Sequence, residues 1–453
     1  ANNNVSWPGT AAVTIDFVHI FKGIFHGKLV LDGNLVNFIS AFLDNKEVIG
    51  NPKPLSQNSD YSHQGVNVLG LGFTITPENA HMLLQKDKRN SDVIFPYING
   101  QDINSSPQHA PSRWIINFWE WDLEKAKSYR ECIEIVKNHV YPERMTKEGS
   151  YKREWWLYGR RQMSLFNSIS SLSRVIACGQ VSKFLSFTFL PSRYIYDQKV
   201  IVFSYDDYAH FAILQSSFHV EWAWKYSSTM RNAGISYSPT DVFRTFPFPN
   251  NVKLLEDVGK KLFEYRCEKM VVRNEGLTAI YNRFHHPKEK STDIAHLREL
   301  QVEMDNAVAA AYGWSDLDLG HGFHETPQGI RFNISEPARR EVLARLLRLN
   351  HERYEEEVRQ GLHEKGKKKP DGAAKPKASR TARAAGQLAL LSEIDLGDEP
   401  ALEPVKQAVP RAEIGDWDQC KCLGCGRLVM GFSLAEHTQT EHQGKDPGYR
   451  KMG

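Results

Sequence analysis

The chain has 453 residues, 41% hydrophobic and 25% charged, with a formal net charge of +3. That apolar fraction excludes disorder for most of the chain, and the near-zero charge excludes a uniformly basic DNA-coating protein while leaving local patches open. At roughly 150 residues per domain the length suggests about three units, and the longest apolar runs fall short of the roughly 20 residues that a membrane helix needs. The sequence opens at Ala1 with neither Met nor a basic-then-apolar leader, which reads as a processed chain or a fragment rather than a secreted precursor.

Residues 1–60 read as the end of a sheet. Trp7-Pro8-Gly9 is a turn signal, and Val13 to Ile20 is rich in β-formers with apolar residues on both faces, as in a strand covered on two sides. A short helix is predicted near Leu35 to Leu43. Two or three strands cannot bury a core alone, so this segment is expected to be the end of a larger domain.

Residues 66–250 alternate short apolar runs (Val66 to Phe73, Trp114 to Phe118, Lys199 to Phe203) with helical stretches, an α+β pattern. One helix is predicted from about Tyr208 to Lys225, opened by Asp206-Asp207 and carrying Phe211, Leu214, Phe218 and Trp222 at helical spacing. Phe246-Pro-Phe-Pro249 ends regular structure. Residues 251–358 carry three apolar helical stripes: Leu255, Val258, Leu262 and Tyr265; Ile294, Leu297, Met304 and Ala311; and Leu343, Leu347, Tyr354 and Val358, the last opened by Pro337. Composition then breaks. From Gln360 to Gly386, eight Lys or Arg face only Glu364 and Asp371 with no repeating large apolar residue, which makes 359–415 a flexible linker.

Two constellations could carry chemistry. Near the C-terminus, Cys422-x2-Cys425-x11-His437-x4-His442 has the ligand types and spacing of a tetrahedral zinc site, with Val429 and Leu434 as its apolar plug and Cys420 as a further thiolate. Residues 416–453 therefore read as a C2H2-like zinc module. Its helix face, Ser433, Glu436 and Gln439, is not basic, so a structural or protein-docking role stands level with DNA contact. In the middle of the chain, seven cations between Lys152 and Arg193 face Glu154 alone, with Trp155, Trp156, Tyr158, Phe166 and Phe184 interleaved. Guanidinium groups neutralise phosphates and aromatic planes can brace a nucleic-acid strand. A solvated face of an ordinary domain gives the same composition, and Trp155 and Trp156 are expected in the core.

The chain has no GxxxxGK[ST] loop, no HExxH and no defensible Ser-His-Asp or Cys-His set. Gly70-Leu-Gly72 is too short for a dinucleotide fingerprint, and His321-Gly-Phe-His324 reads as a loop with a capping role. An independent hydrolase or nuclease has little support, because no carboxylate–lysine cluster can be defended either.

These pieces resemble, in order, the C-terminal part of MmeI-type adenine-specific DNA methyltransferases, a family that includes fused restriction–modification enzymes and phage-defence methylases. Trp7 to Val13 with Val18-His19-Ile20 resembles the last strands of the methyltransferase sheet. Pro96-Tyr97-Ile-Asn-Gly100-Gln-Asp102-Ile-Asn104 with Trp114 to Phe118 resembles the start of the target recognition domain, and Leu214 to Ser217, Trp222, Lys225 to Ser228 and Tyr237 to Pro249 its end. Ala307 to Trp314 and Leu317 to Phe323 resemble the helical C-terminal part. The resemblance implies double-stranded DNA as partner, a prokaryotic cytoplasmic setting without a membrane, and S-adenosylmethionine bound by the catalytic half. The family's cofactor loop and Asn-Pro-Pro-aromatic motif, which holds the flipped adenine, do not occur here. Asn51-Pro52-Lys53-Pro54 is the nearest string. The catalytic half is thus expected upstream or on another polypeptide, and the alternative is a stand-alone DNA-binding adaptor that recruits a separate enzyme. Arg160, Arg161, Arg174 and Lys183 are the candidate phosphate contacts. Arg231 and Asn232 are candidates for base edges, since Arg pairs with guanine and Asn with adenine, or they simply tie down their loop.

Overall fold

The apolar runs become strands of only two to six residues, and these assemble into several small sheets. The computed structural model describes residues 1–6, 14–23, 25, 27–39, 50–230, 234–326 and 328–363, and three short strands within 419–451. The chain divides into two units, Ala1–Gly366 and Lys367–Gly453.

In the first unit the central sheet is antiparallel throughout, in the order Thr188–Pro191, Arg174–Gly179, Val200–Phe203, Ser62–Gln64. Val175 to Gly179 and Val200 to Phe203 are buried at every position. Cover on both faces explains why these strands read as unbroken apolar runs. The sheet takes its edge strand from before residue 66, where the sequence put the domain's start. A second sheet orders Ile195–Tyr196, Ile94–Ile98, Arg113–Ile116 and Thr74–Ile75, its first pair parallel and the others antiparallel. Phe73, Ile115, Phe118, Cys132 and Val136 fill the core beneath it. Trp155 and Trp156 pack against that core, and the Trp156 indole N–H donates to the Trp121 carbonyl at 2.9 Å.

The long helix predicted over Tyr208 to Lys225 is two helices, Tyr208–Gln215 and Ser217–Tyr226. Asp207 caps the first by accepting from the His210 backbone N–H, as the Asp-Asp pair suggested. Ser216 adopts extended backbone (ψ 154°) and its side chain accepts from the His219 N–H. A hydroxyl that satisfies helix-start donors breaks the run at that point. Phe211, Leu214, Phe218 and Trp222 are nevertheless all buried.

After residue 250 come the helices Glu256–Arg273, Leu277–Phe284, Thr292–Ala311 and Glu336–Arg359. Each predicted stripe buries its central members, among them Leu262, Leu297, Met304, Leu343 and Leu347, while Val358 is exposed. One buried cluster runs from Ile98 to Leu347, so residue 250 does not separate two cores. At Gly259 a Cβ would lie 2.1 Å from the Tyr208 carbonyl oxygen. Only glycine allows the helix Glu256–Arg273 to cross Tyr208–Gln215 this closely.

Near the N-terminus, Thr14–Phe17 pairs antiparallel with Asn2–Ser6. Val18, Ile20 and Phe21 are exposed, where the sequence suggested cover on both faces; Trp7 to Val13 lie outside the described residues. The helix predicted near Leu35 is instead a hairpin of Leu29–Leu31 and Asn34–Val36. Asp32 and Gly33 turn it with φ of 51° and 80°, the conformation an Asp-Gly pair favours. Residues 40–49 lie outside the described residues.

In the second unit, Gln419–Cys422 pairs with Leu428–Met430 and with Tyr449–Lys451. Of the expected zinc ligands, Cys422 ends a strand, and Cys425, His437 and His442 lie outside the described residues, as does the predicted linker from residue 364. Among the described residues no helix is long and apolar enough to cross a membrane.

Candidate nucleic-acid interface

The four cations singled out in the sequence do different things. Arg160 is exposed, and its backbone pairs with Asn67 in both directions (3.1 and 2.9 Å). Lys152 and Arg153, on a short helix before it, are also exposed. Arg161 is half-buried, paired with Glu154 and 3.7 Å from Glu120. Arg174 is committed to packing. Its Nε donates to the Asp206 carbonyl at 2.9 Å, its Nη1 to the Tyr208 hydroxyl at 3.2 Å, and its guanidinium lies 3.9 Å from the Phe189 ring centre. Lys183 is exposed and donates from Nζ to Asn282 Oδ1 at 2.6 Å. Arg231 and Asn232 lie outside the described residues, in the connection between strands that pair Met230 with Gly234.

Lys183 leads to a feature that composition could not show. It lines a cavity of about 70 Å³ with Phe184, His285, Gln328, Arg331 and Glu221, among others. The hairpin Gly322–Thr326 and Gly329–Asn333 forms one wall and carries Arg331, so Gly322 to His324 are strand where a loop is expected from the sequence. Phe184 organises the site: His285 stacks on it at 4.9 Å, and Lys183 Nζ and the Arg331 guanidinium each lie 5.1 Å from its centre. Burial first, then the charges of Arg331, Arg298 and Lys183, push the His285 imidazole down to about 3. It is therefore neutral at physiological pH, and its Nδ1 is buried without a partner.

A buried polar network supports the cavity. Arg266 donates to Gln215 Oε1, the Tyr281 hydroxyl and the Phe187 carbonyl. Asp305 gathers Ser217, Gln301 and His321. His321 thus serves as a buried hydrogen-bonding post for Asp305, at 2.9 Å. The Asn51-Pro52-Lys53-Pro54 string is likewise structural: Asn350 accepts from the Lys53 N–H and donates to the Lys53 carbonyl, both at 2.8 Å.

Comparison with known families decides what this scaffold is. Residues 46–250 match the family model described as MmeI, target recognition domain. Residues 46–250 are an MmeI-type target recognition domain. Its start at 46 rather than 66 takes in Ser62–Gln64, the strand that completes the central sheet. A solved structure of MmeI, a Type IIL restriction–modification enzyme in complex with DNA, superposes with a TM-score of 0.52 at 15% identity over 71% of this chain. The chain spans 39% of the length of that enzyme. The aligned share of the chain exceeds the target recognition domain, so the common fold includes part of its surroundings. The type IIG restriction endonuclease BpuSI aligns over 57% of this chain and 31% of its own, at 14% identity and a TM-score of 0.28. No protein of curated function matches the chain.

Proposed function

We propose that the chain is the DNA-sequence-recognition part of a site-specific adenine-N6 DNA methyltransferase of the MmeI type, working in restriction–modification or phage defence in a prokaryotic cytoplasm. The observation that carries this reading is the target recognition domain at 46–250. In such a domain phosphate contacts fix register while side chains in the grooves read base edges. Lys152, Arg153, Arg160, Lys183 and Arg193 are the cations best placed to hold phosphates in the block 152–193, because they are exposed and, among the described residues, carry no carboxylate partner. Arg161 and Arg174 are already engaged, so they position neighbouring structure. Arg231 and Asn232 keep the base-reading role.

Methyl transfer is assigned to a catalytic half, in cis or in trans, that binds S-adenosylmethionine. The Asn51-Pro52-Lys53-Pro54 string does not fit the base-holding role, because the Lys53 N–H and carbonyl are both bonded to Asn350. For the second unit we keep the zinc assignment to Cys422, Cys425, His437 and His442, supported by ligand spacing. Fluorescence anisotropy with a labelled duplex across a salt series tests the main reading. Binding should weaken linearly in log–log form, and Arg160→Ala should lower the slope by about one while Arg161→Ala leaves it unchanged. Absence of duplex binding by the wild-type chain at low salt would overturn the proposal.

A further inference from the structure

The cavity around Phe184 lies at the border between the recognition domain and the helices and hairpin that follow it, and its chemistry is unbalanced. Lys183 and Arg331 both line it. Neither has a carboxylate within ion-pair distance among the described residues, whereas Arg273, Arg283, Arg339 and Arg345 all do. Glu221, the acid in the wall, is held by Asn333 and Arg339. Phe184 holds both cations over one ring, Asn282 orients Lys183, and the Ile330 carbonyl accepts from Arg331 Nη1 at 3.0 Å. His285 presents a buried Nδ1 with no partner. The volume, about 70 Å³, is several times the ~10–15 Å³ that one water needs.

We propose that this cavity takes a backbone phosphate of the bound duplex, so that the hairpin and helices after residue 250 grip the DNA together with the recognition domain. The proposal rests on the DNA-recognition reading and extends it beyond residue 250. A phosphate supplies the counter-charge that Lys183 and Arg331 lack. A water bridging it to His285 donates to Nδ1 and to a phosphate oxygen, giving that nitrogen its partner without any change of protonation. Burial comes first in keeping His285 neutral, and the positive field of Arg331, Arg298 and Lys183 that adds to it is the field an anion would feel. Contacts of this kind hold position without reading sequence.

The test uses the full chain and duplex anisotropy over a salt series. Arg331→Gln and, separately, the exposed Lys183→Gln should each weaken binding several-fold near 0.15 M salt and lower the log–log slope by about one, equally on all sequences. A single methylphosphonate linkage, scanned along the duplex, should at one position abolish the difference between wild type and Arg331→Gln. Wild-type binding with unchanged slopes in both variants would overturn this inference and leave the recognition reading standing. Failure of the wild type to bind would overturn both. Saturable binding of inorganic phosphate that Arg331→Gln removes, with duplex slopes unaltered, would make the cavity a free-phosphate site and also refute the clamp.

Discussion

Removing the Asp305 carboxylate should be among the most destabilising single changes in the first unit. Asp305 is fully buried and accepts from the Ser217 backbone N–H at 2.8 Å, the Ser217 hydroxyl at 2.7 Å, Gln301 Nε2 at 3.2 Å and His321 Nε2 at 2.9 Å. Ser217 opens the helix Ser217–Tyr226, so its N–H is one of the donors that a helix cannot satisfy internally, and the helix start favours a negative charge. In Asp305→Ala that N–H and the Gln301 and His321 donors stay buried without this acceptor, each worth about 1–3 kcal/mol if nothing replaces it. Allowing for water entry and non-additivity, the loss should be about 4 kcal/mol. Asp305→Asn keeps the shape and one acceptor oxygen but sets an NH2 against donors, so about 2 kcal/mol is expected. Urea unfolding followed by tryptophan fluorescence reads this directly, since Trp222 and Trp224 sit on the helix concerned. Asp305→Ala within 1 kcal/mol of wild type, or Asn as damaging as Ala, would refute the claim that charge-assisted bonds to the helix start do the anchoring.

Gly259→Ala places a Cβ 2.1 Å from the Tyr208 carbonyl oxygen and should cost about 2 kcal/mol through forced separation of the two helices; an unchanged melting temperature in calorimetry would contradict that crossing. Acid should unfold the first unit early. Burial holds His109 down to about 4 and His219 and His285 to about 3, against about 6.5 in the unfolded chain. Between those values the unfolded state binds more protons, so stability is full above about pH 6.5 and falls as pH drops toward the folded values, by up to about 1.4 kcal/mol per pH unit for each histidine. A melting temperature flat from pH 7 to 4.5 would count against these neutral imidazoles. Zinc should copurify at about one per chain, and Cys422→Ser combined with His437→Ala should abolish it by metal analysis; a metal-free wild type under reducing, chelator-free preparation would remove the zinc assignment.

Features set by local chemistry were legible in the sequence. The Asp207 cap, the apolar stripes after residue 250 and the unbroken apolar strands follow from residue type and period, and the recognition segment was found from the order of its motifs. Features set by tertiary partners were not. Composition cannot tell Arg174, locked over Phe189 and Tyr208, from Arg160, which is exposed. The helix break at Ser216 was hidden because Phe211, Leu214, Phe218 and Trp222 keep helical spacing across it. The strands Gly322–Thr326 and Gly329–Asn333 have only half-buried and exposed side chains, so no strong alternation announces them. The cavity joins Lys183, His285 and Arg331 from three separate elements, and each looks ordinary in its own stretch of sequence. The Asp32-Gly33 turn, by contrast, is set by local chemistry, since an Asp-Gly pair between apolar residues is a strong hairpin signal.

The central claim is that residues 46–250 read a DNA sequence. Incubating the full chain with a pool of duplexes randomised over about a dozen base pairs, recovering the bound fraction through several rounds and sequencing it measures that directly. Enrichment of one short motif, lost or altered when Arg231 and Asn232 are both changed to Ala, is the expected result. A bound pool indistinguishable in sequence from the input would contradict it.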